Sequence, residues 1–149
     1  SDAIDFDFSN GKVEKSTFTN IKGDALDFSG SNAYLKKLNL KNIDDKAISV
    51  GEESNIEISE IKITDSKFGI ASKDSSKVIG KKILVENCIW YDFAAYQKKS
   101  FFNGGYINLK EVKGCNKSIS QNKSQIFVNE KKVNTKKINV KDLYEGKYQ

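Results

Sequence analysis

A short pattern recurs along the chain and decides its fold. It reads Asp2-Ala3-Ile4-Asp5-Phe6, then Asp24-Ala25-Leu26-Asp27-Phe28, Lys46-Ala47-Ile48-Ser49-Val50, Phe68-Gly69-Ile70-Ala71-Ser72 and, in degenerate form, Tyr91-Asp92-Phe93-Ala94-Ala95. The first residues of the copies follow one another at a nearly constant interval of about 22 residues, the kind of period that indicates a stacked solenoid.

Within each unit, apolar residues alternate with polar ones, as in Ile56-Glu57-Ile58 and Ile61-Lys62-Ile63. Alternation is the period of a β-strand, and the unit is too short for a repeat of two helices. We therefore predict an all-β fold, a parallel β-helix of about five coils. The inward residues should form columns, namely Ile4, Leu26, Ile48, Ile70 and Phe93; Phe6, Phe28 and Val50; Leu38, Ile61 and Ile83; and Phe18, Leu40, Ile63 and Val85.

A second column supports this register, because Asn20, Asn42, Asp65 and Asn87 recur near the end of each unit. Stacked coils lie about 4.8 Å apart, the spacing at which side-chain amides bond to the copies above and below. The sequence therefore predicts an asparagine ladder at one turn.

The composition excludes several kinds of chemistry. Every basic residue is Lys, and the 149 residues include no Arg and no His. A Ser-His-Asp triad is therefore excluded, as is bidentate binding of anions by a guanidinium group. The net charge of +5 comes from residues 110–149, which carry +6 against −1 for residues 1–109. This tail lacks Arg and is poor in aromatic residues, so we expect no nucleic-acid binding, and no apolar run is long enough to predict a membrane span.

The regular period predicts a β-helix domain over residues 1–115 and a C-terminal cap over residues 116–149. Residues 98–105 interrupt the period and are predicted to form a longer loop. In the cap, residues 124–128 and 132–133 should form a hairpin, and residues 140–145 one helical turn. The first repeat begins directly after Ser1, which predicts further coils or another domain of the same parent chain before it.

The coil length, the apolar register and the asparagine column over residues 2–115 resemble the right-handed parallel β-helices of the pectin-lyase-like superfamily. Segments 24–31, 69–76 and 94–99 also resemble the β-helix domains attached to some secreted proteins related to spore-coat kinases. The superfamily includes carbohydrate-binding proteins and sugar hydrolases. The resemblance therefore implies a polysaccharide partner and a secreted or cell-surface location.

Outward residues of the strand that opens each coil form two further columns, Asp5, Asp27, Ser49, Ala71 and Ala94, and Asp7, Ser29, Gly51, Lys73 and Tyr96. Asp5 and Asp27 should lie about 5 Å apart, where two carboxylates share a proton, bind a cation or repel each other. Two carboxylates are also the minimum for acid and base chemistry on a glycosidic bond.

The superfamily places its sites on such an outer face, with carboxylates for hydrolysis, or with calcium and a Lys or Arg base for elimination from uronic acids. The resemblance implies Asp5, Asp27 and Lys73 as candidate catalytic residues, and Asp7, Lys46, Tyr96 and Lys98 as candidate substrate-binding residues. We assign no metal ligand and predict no cofactor, with calcium as the option if the chain is a uronate lyase.

Three functions stay open. The first is a non-catalytic or degenerate β-helix domain that recognises a polysaccharide or serves as a structural spacer. The main alternative is a lyase, epimerase or hydrolase of acidic polysaccharide, and the third is an adhesin or phage-tail-like assembly through the open N-terminal edge. The lack of a catalytic Arg or His and the small number of coils favour the first.

Overall fold

The computed structural model describes residues 1–114 and 117–149. This part of the chain forms a β-solenoid of about six turns, followed by one short helix. The strands are β1 (Ile4–Asp7), β2 (Asn10–Ile21), β3 (Leu26–Ser29), β4 (Asn32–Gly51), β5 (Asn55–Lys73), β6 (Lys77–Glu86), β7 (Tyr91–Tyr96), β8 (Tyr106–Gly114), β9 (Ser118–Gln121), β10 (Gln125–Val128), β11 (Lys131–Lys132) and β12 (Thr135–Lys136), and the helix is α1 (Val140–Tyr144).

Successive turns pair in parallel at the period of the sequence. Asp5 of β1 is the register partner of Asp27 in β3, and Asp27 is the partner of Ser49 in β4. The ladder continues through β5, β6 and β8 to β10. The predicted all-β fold with stacked parallel coils is confirmed, and the right-handed sense of the coil stays a prediction.

The predicted core columns are also confirmed. Ile4, Leu26, Ile48, Ile70 and Phe93 are successive register partners, and the last four side chains are fully buried. The other three columns follow the same register. Complete burial of such a side chain stabilises the fold by about 1.5–3 kcal/mol relative to exposure, so these columns are the main source of stability.

The asparagine column occupies a corner of the solenoid. Asn20, Asn42, Asp65 and Asn87 all have left-handed backbone angles, with φ between 56° and 60°. Asn and Asp tolerate this conformation better than other side chains do. The Asn42 side-chain amide donates to the Asn20 side-chain oxygen at 2.6 Å, so the predicted ladder is present at the first two turns.

The corner after Ile43 does not interrupt its strand. β4 runs through Ile43, Asp44 and Asp45, with a register shift between Ile43 and Lys46. Single left-handed residues such as Lys37 and Asn42 turn the corners of this strand. Because each corner needs only one such residue, the parallel pairing continues on both sides of it.

The C-terminal segment contains the predicted hairpin and helical turn. β10 pairs with β11 in antiparallel fashion, and α1 lies within the range predicted to be helical. β9 and β10 themselves continue the parallel ladders, which gives about six turns where the sequence predicted about five. The predicted boundary between residues 115 and 116 falls on residues outside the described part. No helix within 1–114 or 117–149 is long and apolar enough to cross a membrane.

Candidate functional site

Most of the predicted site residues lie on one side of the solenoid. We call this side the Asp/Lys face; it consists of the outward side chains of β1, β3 and β7, of the C-terminal stretches of β4 and β5, and of the residues that lead into β1 and β3. Asp5 and Asp7 are exposed on β1, and Asp27 is half-buried on β3. A slight desolvation, together with nearby Asp2 and Asp27, raises the pKa of Asp5. The predicted alignment of Asp5 with Asp27 is confirmed by their register.

Lys73 lies deep in this face and is already engaged. Its side chain is buried, its Nζ donates to Ser49 Oγ at 2.5 Å, and the same nitrogen lies 4.0 Å from Asp27 Oδ1. Burial lowers the pKa of Lys73 because it disfavours the charged form. Lys73 therefore holds Ser49 and Asp27 in a charge-compensated group.

Lys46 is buried beside two carboxylates. Its Nζ lies 3.4 Å from Asp24 Oδ1 and 3.0 Å from Asp45 Oδ2. Burial opposes the charge of Lys46, but the two carboxylates outweigh this effect and raise its pKa. Lys46 is therefore a fixed cation and is not free to act as a base at neutral pH.

Tyr96 is fully buried, because the C-terminal segment covers this part of the face. Its ring meets Tyr144 of α1 edge to face, with centroids 5.8 Å apart, and the two hydroxyl oxygens lie 2.7 Å apart. Leu143 and Ile138 complete a second apolar cluster over the face. The ring of Tyr96 therefore offers no surface to a sugar in this structure.

Lys98 is exposed and meets Lys46 at the ring of Tyr144. The Nζ atoms lie 5.9 Å and 5.4 Å from the ring centroid, respectively. The main-chain nitrogen of Lys98 donates to Asp74 Oδ1, which fixes the start of the predicted loop. The structure thus brings Lys46 and Lys98 together at the Tyr144 ring.

Three carboxylates of the Asp/Lys face lie close together. Oxygen atoms of Asp2, Asp24 and Asp27 are within 4.8 Å of one another. Calcium takes about six to eight oxygen ligands. Here Asp24 faces the Lys46 ammonium group and Asp27 faces that of Lys73, so two of the three carboxylates are already compensated. This donor set does not fit the calcium ion of a uronate lyase.

A large concave surface lies on another side of the molecule. It is an open groove of about 670 Å³ that crosses four successive turns. We call it the Asn–Tyr groove, and its lining residues are Asn10, Gly11, Lys12, Asn32, Ala33, Tyr34, Asn55, Ile56, Glu57, Lys77 and Ile79.

Amide groups repeat along the Asn–Tyr groove. The Asn32 amide donates to Asn10 Oδ1, and the Asn55 amide donates to Asn32 Oδ1, both at 3.3 Å. All three side chains are exposed, so each retains hydrogen-bonding capacity toward a ligand. Tyr34 adds a half-buried aromatic ring, and Ile79 an apolar side chain that is 47% exposed.

This groove was not predicted from the sequence. Its signal was present, because Asn10, Asn32 and Asn55 recur at the period of the repeat itself. The predicted ladder uses only the asparagine column at the other corner. Nothing in the spacing distinguishes an asparagine that lines a groove from one that turns a corner.

Comparisons of this chain with protein-family models, with curated proteins and with solved structures found no match.

Proposed function

We propose that this protein is a non-catalytic recognition domain that binds an extended polysaccharide along the Asn–Tyr groove. The observation that carries the proposal is the groove itself, which runs across four turns and repeats an exposed amide on three of them. A polymer with hydroxyl groups at regular intervals would meet the same donor and acceptor once per turn, at a spacing of about 4.8 Å. Tyr34 would pack against the C–H face of a sugar ring.

The lining favours binding over hydrolysis. Glu57 is the one carboxylate among the described residues that line the groove. Hydrolysis of a glycosidic bond ordinarily needs a pair of carboxyl groups, one on each side of the bond. On the Asp/Lys face, where carboxylates do cluster, Lys46 and Lys73 compensate two of them.

The proposal retains the resemblance to right-handed β-helices of the pectin-lyase-like superfamily and, with it, a secreted or cell-surface location. The parallel register, the buried apolar columns and the corner asparagines support it. It requires no metal or other cofactor. Of the predicted substrate-binding residues, none lines the groove, so the proposal moves the binding surface from the Asp/Lys face to the Asn–Tyr groove.

The test is isothermal titration calorimetry. The protein is titrated with oligosaccharides of β-1,4-glucan, mannan, polygalacturonate and alginate. We expect saturable binding to at least one of them, with no change in the length of the oligosaccharide. Tyr34→Ala should weaken binding by about threefold to tenfold, because it removes the aromatic contact. Tyr34→Phe should bind more nearly as the unaltered protein does, since it keeps the ring.

A matched pair of asparagine variants locates the site. Asn32→Ala removes an amide of the groove, whereas Asn42→Gly removes an amide ladder contact at the corner and tolerates φ = 57°. Binding should weaken only for Asn32→Ala. The proposal would be overturned if Asn32→Ala and Tyr34→Ala both bound as tightly as the unaltered protein does. It would also be overturned if no oligosaccharide bound. Cleavage of an oligosaccharide would favour the enzyme alternative.

A further inference from the structure

A second, smaller concavity lies where the C-terminal segment meets the Asp/Lys face. Its volume is about 200 Å³, and its lining residues are Asp45, Lys46, Lys67, Trp90, Lys98 and Tyr144. We call it the basic–aromatic pocket. Pockets for drug-sized ligands measure about 300–1,000 Å³, so this one suits a group no larger than a single ring.

The charges of the pocket are unbalanced. Lys46 is compensated by Asp24 and Asp45. Within residues 1–114 and 117–149, neither Lys67 nor Lys98 forms an ion pair. Their ammonium groups instead lie over aromatic rings, that of Lys67 at 4.8 Å from the Trp90 ring and that of Lys98 at 5.9 Å from the Tyr144 ring. Two cations therefore remain available to an anion.

The two aromatic walls are held in place. Trp90 contacts Phe68 edge to face at 5.5 Å. It also packs so closely on Gly146 that a Cβ atom there would lie 3.0 Å from the Trp90 ring. Tyr144 is fixed by its contact with Tyr96. A ligand that contacts these rings would meet side chains that need little ordering, which reduces the entropic cost of binding.

We propose that the basic–aromatic pocket binds a carboxylate carried on a six-membered ring. The carboxylate would lie at Lys67 and Lys98, and the ring would pack against Trp90 and Tyr144. Charge-assisted hydrogen bonds from the two ammonium groups would hold the anion. The site is separate from the Asn–Tyr groove and does not depend on the function proposed for the groove.

The chain offers its own probe, because Trp90 is its one tryptophan. The experiment follows Trp90 fluorescence during titration with D-glucuronate, cyclohexanecarboxylate, D-glucose and acetate. We expect a saturable change in fluorescence with D-glucuronate, with cyclohexanecarboxylate or with both. Comparing the affinities of these two compounds tells whether the pocket prefers a sugar ring or a hydrocarbon ring. Glucose, which lacks the charge, and acetate, which lacks the ring, should each bind at least about fivefold more weakly.

Two lysine variants separate this site from general attraction to a basic protein. Lys67→Gln should weaken the ring carboxylate by about fivefold, because it removes one uncompensated cation. Lys117→Gln is the control, since Lys117 also lies over an aromatic ring, that of Tyr91 at 5.3 Å, but outside the pocket. The proposal would be overturned by acetate binding as well as the ring carboxylates, by no saturable response, or by equal losses in the two variants.

Discussion

The Asn–Tyr groove and the Asp/Lys face use the same repeat register but differ in almost every other respect. In the groove, Asn10, Asn32 and Asn55 are exposed and uncharged, and no described residue of the C-terminal segment lines it. On the Asp/Lys face, Lys46 and Lys73 are buried and paired with carboxylates.

The cause of the difference is the chain that follows the repeats. α1 and the residues around it pack Leu143 and Ile138 onto β7 and the neighbouring turns. A covered face can tolerate charged residues only if they are paired, because the desolvated charge is otherwise costly. A solenoid thus aligns residues on every face equally, and the non-repeating segment decides which part of a face is covered. Tyr96 and Lys46 are buried beside it, whereas Asp5 and Asp7 of the same face stay exposed.

The largest expected effect comes from a pair of tyrosine variants, one on each face. Tyr96→Ala should lower the free energy of unfolding by about 3–5 kcal/mol, because it empties a fully buried site and leaves the Tyr144 hydroxyl without its partner. Tyr34→Ala should cost about 1 kcal/mol or less, since Tyr34 is half-buried in an open groove. Urea unfolding monitored by circular dichroism measures both.

Equal losses for the two tyrosine variants would break the comparison, because they would mean that the groove is as much a part of the packed core as the covered face. Tyr96→Phe separates the contribution of the ring from that of the hydroxyl group. That variant keeps the ring and removes only the hydroxyl contact, so most of the lost stability should return.

A second pair compares lysines. Lys46→Met should cost about 3 kcal/mol, because it leaves the buried Asp24 carboxylate without its cation. Lys77→Met, in the groove, should change stability by no more than about 0.5 kcal/mol, since Lys77 is exposed. Thermal unfolding of both variants at neutral pH is the measurement. If Lys46→Met unfolded at the same temperature as the unaltered protein, the paired charges on the covered face would add nothing to stability.

The smallest effect is a pH dependence confined to the Asp/Lys face. Burial lowers the pKa of Lys73, which also faces Asp24, Asp27, Lys46 and Lys98. Between this lowered pKa and the ordinary value of 10.5, the unfolded chain holds a proton that the folded chain has lost. Stability therefore rises with pH in that window, and the cost of burying the cation is fully present below it.

The experiment for Lys73 is urea unfolding of the unaltered protein and of Lys73→Met at several pH values from about 7 to about 10. The difference in unfolding free energy between the two should shift in favour of the unaltered protein as the pH rises. Lys77→Met serves as the control and should show no such trend. Parallel pH profiles for the unaltered protein and Lys73→Met would contradict the prediction.

The regular part of the fold could be predicted because a constant period fixes a constant register. Because Ile4, Leu26 and Ile48 recur at equal intervals, each of them stacks on the corresponding residue of the preceding turn. The same logic aligned Asp5 with Asp27. The sixth turn escaped prediction because the spacing changes after the long loop: Gln125 pairs with Tyr106, which precedes it by less than one full period.

The site was harder to predict than the fold. The exposure of a side chain on the solenoid depends on contacts with the non-repeating C-terminal segment, and the repeat period does not predict these contacts. Tyr96 and Tyr144 meet across a long stretch of chain, and the segment around Tyr144 has no repeat from which its position could be inferred. For the same reason, the sequence placed Tyr96 on an open face. The corners formed by lysines could not be predicted either. Residues such as Lys15 and Lys37 adopt left-handed backbone angles, for which lysine has no preference.

The recurring contact between asparagines of adjacent turns has a consequence for how this molecule can change over evolutionary time. Each turn contacts chiefly its neighbours, so a tandem duplication of one repeat unit would insert without rebuilding the rest. Each added unit would bring its own asparagine into line with Asn32 and lengthen the groove by about 4.8 Å. Under the proposed function, the number of repeat units would therefore set the length of the polymer that the groove can contact.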